Sequence, residues 1–477
     1  MDSPPTSDRR RRVALISPKG PLYRGRGGIF GKSLRYMPLT LPTLASLVPD
    51  ELDLSLTCLD EGITDIDPDR VDADLVAMTV ITGTAPRAYE LAAAFRRRHK
   101  IPVVLGGPHV TLVPDDAAPH ADAIVVGYAE QEWPRLLRDF VRGQMQDRYT
   151  QGADLDLADA PLPDRSVLPR RRYLTADVFE ATRGCIHNCD FCVVPSAWGR
   201  RPIQKPIEQV IEDLRRQRAR RAIFVDLNII ADRAYAIGLF EALIPLGIQW
   251  YGLATTLLGD DEELLDLAAR SGCRGLLMGL ESVNHQGLRR SRKGFNDPDR
   301  YRELVDKLHA RRIALQGCFV FGLDDDRKDV FDKTAQFAIE AQIDLPRFAV
   351  LTPFPGTPLF DRLNREGRIL TRDWSLYDGQ HVVFDPAHMS VDELQRGTER
   401  AWRAAYNWSA IARRLRGTAA PWYVALLTNY GYRHYARNLH KFYSCDTWFD
   451  PASLIRQGGP ARPLSATVSL QLAKGSS

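Results

Sequence analysis

The sequence predicts an α/β protein: two successive runs of alternating strands and helices, then a mostly helical region. Three observations carry this. Short apolar runs alternate with helix-period segments from residue 13 to about 145. The same rhythm restarts at about 175, after a Pro- and Asp-rich stretch without either period. Hydrophobic residues make up 44 % of the 477 residues and charged residues 26 %, which is enough apolar material for more than one core.

In the first run, strands are predicted at 13–17, 52–58, 75–80, 101–105 and 123–126. A helix is predicted at 86–100, where Leu91, Ala92 and Phe95 share one face, and another within 36–49 despite its prolines. Residues 1–150 thus read as a Rossmann-like open sheet. Its ligand belongs against the loops at 106–112 and 127–133, which follow strand ends. Residues 151–174 read as an extended linker. In 175–360, strands are predicted at 178–184, 222–228, 248–254, 275–282, 313–322 and 347–354. Helices fall between them at 206–218, 231–246, 260–272, 299–311 and 329–342. This length suits a partial, TIM-like (β/α)6 barrel better than an eight-stranded one, which needs about 250 residues. Residues 361–450 are predicted helical, chiefly at 389–415 and 422–443, and 451–477 are expected to form a mobile tail.

Lys plus Arg exceed Asp plus Glu by four, a balance that gives no case for a dedicated nucleic-acid binder. The N-terminus MDSPPTSDRRRR lacks the apolar stretch of a secretory signal, and no run approaches 18 apolar residues. A cytoplasmic protein without a membrane span is expected. Seven cysteines are too few for a disulfide scaffold. Their distribution is more telling. Cys58, Cys273, Cys318 and Cys445 are scattered, whereas Cys185, Cys189 and Cys192 fall within RGCIHNCDFC at 183–192.

Three thiolates at Cys-x3-Cys-x2-Cys spacing can ligate three irons of a [4Fe–4S] cube and leave the fourth iron open to a small molecule. The loop follows a strand, so it belongs at the barrel mouth, where such folds build active sites. The spacing by itself also admits a zinc loop, with His187 inside it.

This motif, with the aromatic Phe191 before its last cysteine, resembles that of the radical S-adenosylmethionine superfamily, and the resemblance covers 175 to about 360. It implies that S-adenosylmethionine chelates the open iron and is cleaved reductively to a 5′-deoxyadenosyl radical. An external donor such as flavodoxin or ferredoxin supplies the electron. Further positions resemble the superfamily's cofactor contacts. Asp226 and Asn228 end the second barrel strand, and Glu281 and Ser282 end the fourth. Gly317 and Gly322 lie in the fifth-strand segment, and Pro353 in LTPFPGTPLF after the sixth.

The N-terminal domain resembles the cobalamin-binding domain of the cobalamin-dependent branch. That implies cobalamin contacts at Thr82, Gly83, Gly106, Gly107, Pro108, His109, Val110, Gly127, Tyr128 and Glu130, and a lower face near Tyr36, Met37, Pro38 and Leu39. No Asp-x-His-x-x-Gly segment is present, so cobalt is expected without a histidine ligand. His109 is either a contact to the cofactor tail or a loop histidine without a ligand role.

The resemblance implies a C-methyltransferase acting on an unactivated carbon of a small-molecule or lipid-like substrate. Ring rearrangement or oxidative cyclisation by the same architecture is the alternative, and a noncatalytic cobalamin or cluster sensor is a third reading. A methylthiotransferase would need a second three-cysteine cluster in the N-terminal domain, where only Cys58 lies. Trp402, Tyr406, Trp408, Trp422, Tyr423, Tyr430 and Tyr432 suggest either core packing or an aromatic pocket wall.

Overall fold

Val13, Ala14, Leu15 and Ile16 are all buried, as a parallel strand covered on both faces requires. They form the centre of β1 (Arg11–Ser17) in a computed structural model that describes residues 10–20, 26–27, 32–33, 36–152 and 155–439. With β2 (Leu54–Asp60), β3 (Leu75–Thr79), β4 (Val103–Gly106), β5 (Ala123–Val126) and β6 (Arg148–Thr150) it makes one six-stranded sheet. All pairs are parallel, in the order β2-β1-β3-β4-β5-β6. The order reverses between β1 and β3, which opens a crevice at the carboxyl ends of the strands. The short edge strand β6 was not predicted, because one buried residue, Tyr149, between two exposed ones gives too little period to detect.

The second sheet contains β7 (Val178–Phe179), β8 (Arg221–Phe224), β9 (Gln249–Leu253), β10 (Cys273–Glu281), β11 (Ala314–Phe321) and β12 (Arg347–Val350). They pair in sequence order and all in parallel, as a partial (β/α)6 barrel does. Along β11, Leu315, Phe319 and Phe321 are fully buried, whereas Gln316, Cys318 and Val320 are only half-buried. Alternation puts the first set under the helices and the second toward the barrel interior.

Two elements differ from the sequence expectation for clear reasons. The strand expected at 178–184 breaks after Phe179. The amides of Ala181 and Thr182 donate to the Asp226 carboxylate instead of to a neighbouring strand. Thr182–Arg183 then pairs antiparallel with Ile203–Gln204. The helix expected at 389–415 is two helices, Val391–Ala405 and Trp408–Leu415, because Asn407 caps the second by accepting from the Ala410 amide.

The C-terminal helices are part of the barrel rather than a separate body. Leu394, Trp402, Ala405 and Tyr406 share its core, and the Trp402 indole donates to Phe348 O at 2.9 Å. Trp374, Leu376, Tyr377 and Val383 instead pack into the first sheet's core. The expected linker is also packed. Arg165 is buried against Asp213, with both guanidinium–carboxylate contacts at 2.8 Å. No helix among the described residues is long and apolar enough to cross a membrane. The tail at 451–477, Cys445 and the end of the helix expected at 422–443 lie outside the described residues.

Candidate active site

The cysteine loop is anchored at both ends. Gly184 has φ +86°, and a Cβ there would press on Arg201 O at 3.1 Å, so only glycine turns the chain into the loop without strain. Within the loop, the Asp190 amide donates to Ser291 O at 3.2 Å and Asp190 O accepts from Leu359 at 3.0 Å. Helix Val193–Trp198 starts directly after Cys192. Burial pushes the Cys189 thiol up to about 12 and Cys192 above its usual value, while Lys293 works against burial at both. Such thiols ionise on binding a metal. Among the described residues, the trio with ligand atoms all within 4.8 Å of one another is the exposed His285, Asp297 and Asp299. The loop cysteines are not drawn together in that way, which suits a cluster better than a single zinc ion. The His187 ring stacks on Phe295 at 4.0 Å.

Beside the loop, β10 ends irregularly. Its register with β11 shifts between Gly279 and Glu281, and Glu281 has φ +64°. This turns Glu281 to meet Lys293 at 2.5 Å, with both side chains about nine-tenths buried. Burial alone would discharge Lys293, but Glu281 and the Cys189 and Cys192 thiols outweigh it and hold the ammonium above its usual range. The head groups of this pair lie over Gly279, where a Cβ would collide with both. Sequence reading found Glu281 and missed Lys293. The only trace of Lys293 was a lysine in SRKGF, one basic residue among many. Asn228 Oδ1 and Thr255 Oγ1, which follow β8 and β9, are buried and lack hydrogen-bond partners. Paired charges and orphaned polar atoms at neighbouring strand ends fit the ammonium, carboxylate and ribose of a bound S-adenosylmethionine.

Other residues expected to touch the cofactor also make structural contacts. Asp226 is fully buried and accepts from the two backbone amides before the cysteine loop, mainly through Oδ1, so it positions the loop. Ser282 accepts from the Asn284 amide at 3.0 Å. Gly317 faces outward, where a Cβ would touch Leu280 and Ile343. Gly322, at φ +104°, donates to Asp326 and packs under Leu394. Pro353 is buried in the loop after β12, and Phe191 is half-buried against the barrel core.

A cavity of about 440 Å³ lies between the two sheets. Leu39, Gly106, Gly107, Pro108, Gly127, Tyr128 and Glu130 line it from the first sheet's side. The barrel adds Glu180, Thr182, Arg183, Trp198, Val225 and Leu227, none of which the sequence reading placed there. Gly107, at φ +103°, sits so close to Val80 that a Cβ would lie 2.9 Å from its backbone. Arg183 crosses between the two sides. It donates to Glu130 and to Glu180, the latter at 2.9 Å, and covers the Tyr128 ring at 5.0 Å. Lys205 completes the chain on Glu180 at 3.0 Å. Despite burial, Arg183 and Lys205 hold the Glu180 carboxyl down to about 2.

Several expected cobalamin contacts do not line this cavity. His109 is fully buried beneath it, with Nδ1 3.3 Å from Thr82 Oγ1 and Nε2 3.1 Å from both Tyr89 and Asp116. The Trp374 indole closes this network on Asp116, so both ring nitrogens of His109 are occupied. Thr82 and Gly83 belong to a 3₁₀ turn, Thr82–Thr84, on the same side, and Val110 is core. Met37 is core of the other face, while Tyr36 is half-exposed and Pro38 half-buried. The aromatic C-terminal residues do not line the cavity either. Trp402, Tyr406 and Tyr432 stack on one another, and Trp408, Trp422, Tyr423 and Tyr430 are exposed.

A doubly wound sheet with an apolar cavity at its strand ends, closed by a barrel bearing an open three-thiol loop, defines an enzyme with two cofactor sites on one seam. The comparisons agree. The radical SAM superfamily matches residues 179–337 and the B12 binding domain matches 53–137. Bacteriochlorophyllide d C-12(1)-methyltransferase of Chlorobaculum tepidum is 33 % identical over 397 residues, covering 81 % of this chain and 86 % of that protein. Hopanoid C-2 methylase of Rhodopseudomonas palustris is 28 % identical, covering 76 % and 72 %. The radical S-adenosylmethionine methyltransferase TsrM of Kitasatospora setae, solved with cobalamin and a [4Fe–4S] cluster, shares the fold at a TM-score of 0.66 and 16 % identity, covering 90 % of this chain and 100 % of that one. The chain belongs to the cobalamin-binding branch of the radical SAM superfamily. Its cofactors are a [4Fe–4S] cluster, S-adenosylmethionine and cobalamin.

Proposed function

We propose that this enzyme is a C-methyltransferase acting on an unactivated carbon of an apolar or lipid-like small molecule. The observation that carries the reading is the single seam on which the cavity at the first sheet's strand ends and the cysteine loop meet. The relatives named for methylating a bacteriochlorophyllide and a hopanoid support both the reaction type and an apolar substrate class. The cluster would supply the electron that cleaves S-adenosylmethionine, and the corrinoid the methyl group delivered to the substrate.

In this reading Cys185, Cys189 and Cys192 hold the cluster. Lys293 and Glu281 bind the charged amino-acid part of S-adenosylmethionine, and Asn228 and Thr255 pair with its remaining polar groups. Gly106, Gly107, Pro108, Gly127, Tyr128 and Glu130 take the nucleotide tail of cobalamin, and Leu39 lies toward its lower face. The occupied ring nitrogens of His109 support a cobalt without a histidine ligand. Packing of the two sheets against each other keeps water from a reactive radical. An external one-electron donor such as flavodoxin or ferredoxin reduces the cluster.

The test is anaerobic reconstitution with both cofactors and S-adenosylmethionine carrying a labelled methyl group, incubated with a lipid and pigment extract. A labelled product heavier by one CH₂, formed together with 5′-deoxyadenosine, is expected. Substrate-dependent 5′-deoxyadenosine with an unlabelled, rearranged product would overturn methyl transfer in favour of the cyclising alternative.

A further inference from the structure

The two carboxylate oxygens of Glu130 stand in different surroundings. Its Oε1 accepts from Arg183, and its Oε2 is buried with no hydrogen-bond partner, although the side chain lines the tail cavity. Thr182 repeats the pattern: it lines the same cavity, and its buried hydroxyl is unpartnered. Buried polar atoms are seldom left unsatisfied, because each costs about 1–3 kcal/mol. A cavity with two of them, both able to accept from a hydroxyl or an amide, is therefore shaped for a ligand that donates there.

The same residues bracket the iron–sulfur loop. Arg183 is two positions before Cys185, and Trp198, which stacks on Tyr128, ends the helix that starts after Cys192. Arg183 is held on three sides, by Glu130, by Glu180 and by the Tyr128 ring. A change at Glu130 therefore reaches the loop through one side chain.

We propose that Glu130 is a positioning residue that reads the nucleotide tail of the corrinoid with one carboxylate oxygen and sets Arg183, and so the cluster loop, with the other. The tail group it reads is a hydrogen-bond donor, a ribose hydroxyl. The corrin amides are common to cobalamin and cobinamide, whereas the ribose hydroxyl belongs to the nucleotide tail alone. This rests on the cobalamin reading above, and it adds that a corrinoid without the nucleotide tail binds without adjusting the cluster.

The experiment uses full-length protein with its [4Fe–4S] cluster reconstituted. Cobalamin and cobinamide, which lacks the nucleotide, are compared by corrinoid affinity and by electron paramagnetic resonance of the reduced cluster. In wild type, cobalamin should shift the cluster g-values and cobinamide should not. Glu130→Gln should weaken cobalamin about tenfold, leave cobinamide affinity unchanged, and abolish the g-value shift. Arg183→Lys, which keeps the charge but not the forked geometry, should bind cobalamin close to normally and also lose the shift. A Glu130→Gln protein with wild-type cobalamin affinity, or identical cluster spectra with the two corrinoids in wild type, would overturn the link. So would a retained shift in Arg183→Lys, which also decides the matter should Glu130→Gln not hold its cluster. Wild-type protein that binds neither corrinoid would refute the cobalamin reading itself, and the link with it.

Discussion

The Tyr128 ring stacks on the Trp198 indole with centroids 4.2 Å apart and planes 11° from parallel. Tyr128 belongs to the loop after β5, and Trp198 closes the helix that leaves the cysteine loop, so the stack joins the two cofactor sites directly. An aromatic pair of this kind contributes about 0.5–1.5 kcal/mol. Trp198→Ala, which also removes a cavity wall, should weaken cobalamin binding by up to about tenfold while the cluster still assembles. Equilibrium dialysis with iron analysis on the same samples checks both parts.

Iron and sulfide content tests the cluster assignment. Replacing Cys185, Cys189 or Cys192 with alanine should abolish the cluster. Cys273→Ser and Cys318→Ser should keep it, because neither sulfur belongs to the loop and Cys273 is wholly buried in the barrel core.

Lys293→Met should lower S-adenosylmethionine affinity by at least about tenfold with the cluster intact, since charge-assisted bonds are worth roughly 1.5–3 kcal/mol. Glu281 is left buried without its partner in this variant. Calorimetric titration of the reconstituted variant reads the loss, and unchanged affinity would move the amino-acid end of the ligand elsewhere.

Asp226 makes stability depend on pH. Burial, reinforced by the nearby Glu180 carboxylate, raises it from 3.8 to about 7. Between those values the folded state holds a proton that the unfolded state has released, so stability falls as pH rises through that window. Asp226→Asn removes this contribution. Its melting temperature relative to wild type should therefore improve steadily from about pH 4 to pH 7, and a difference that stays constant with pH would contradict it.

The Arg165–Asp213 pair ties the connecting segment to the barrel from a buried position. Asp213→Ala leaves the guanidinium buried without its counter-charge, which costs about 3–5 kcal/mol. Denaturant titration of the apoprotein should show that loss.

The sequence by itself determined whatever is encoded locally. Cys185, Cys189 and Cys192 lie on one loop, so their spacing pointed to a metal or cluster site and the family resemblance narrowed it to an open-iron cluster. The strands of both sheets, the edge strand β6 excepted, showed themselves through short apolar runs, and Gly106, Gly107 and Gly127 marked where a cofactor can approach the backbone. Tertiary structure decided which polar groups remain for a ligand, because that depends on who else takes them. Asp226 reads as a cofactor contact, and the fold gives it the further task of holding the amides of Ala181 and Thr182. For His109 the sequence left open a tail contact or a loop histidine, and the fold surrounds its ring with Thr82, Tyr89 and Asp116. Lys293 gains its role only because a register shift turns Glu281 toward it. Arg183 and Glu130, far apart in the chain, meet only when one sheet closes over the other. A hydrogen bond is spent on whichever partner arrives in space, and a one-dimensional pattern records the donors and acceptors without recording their pairing.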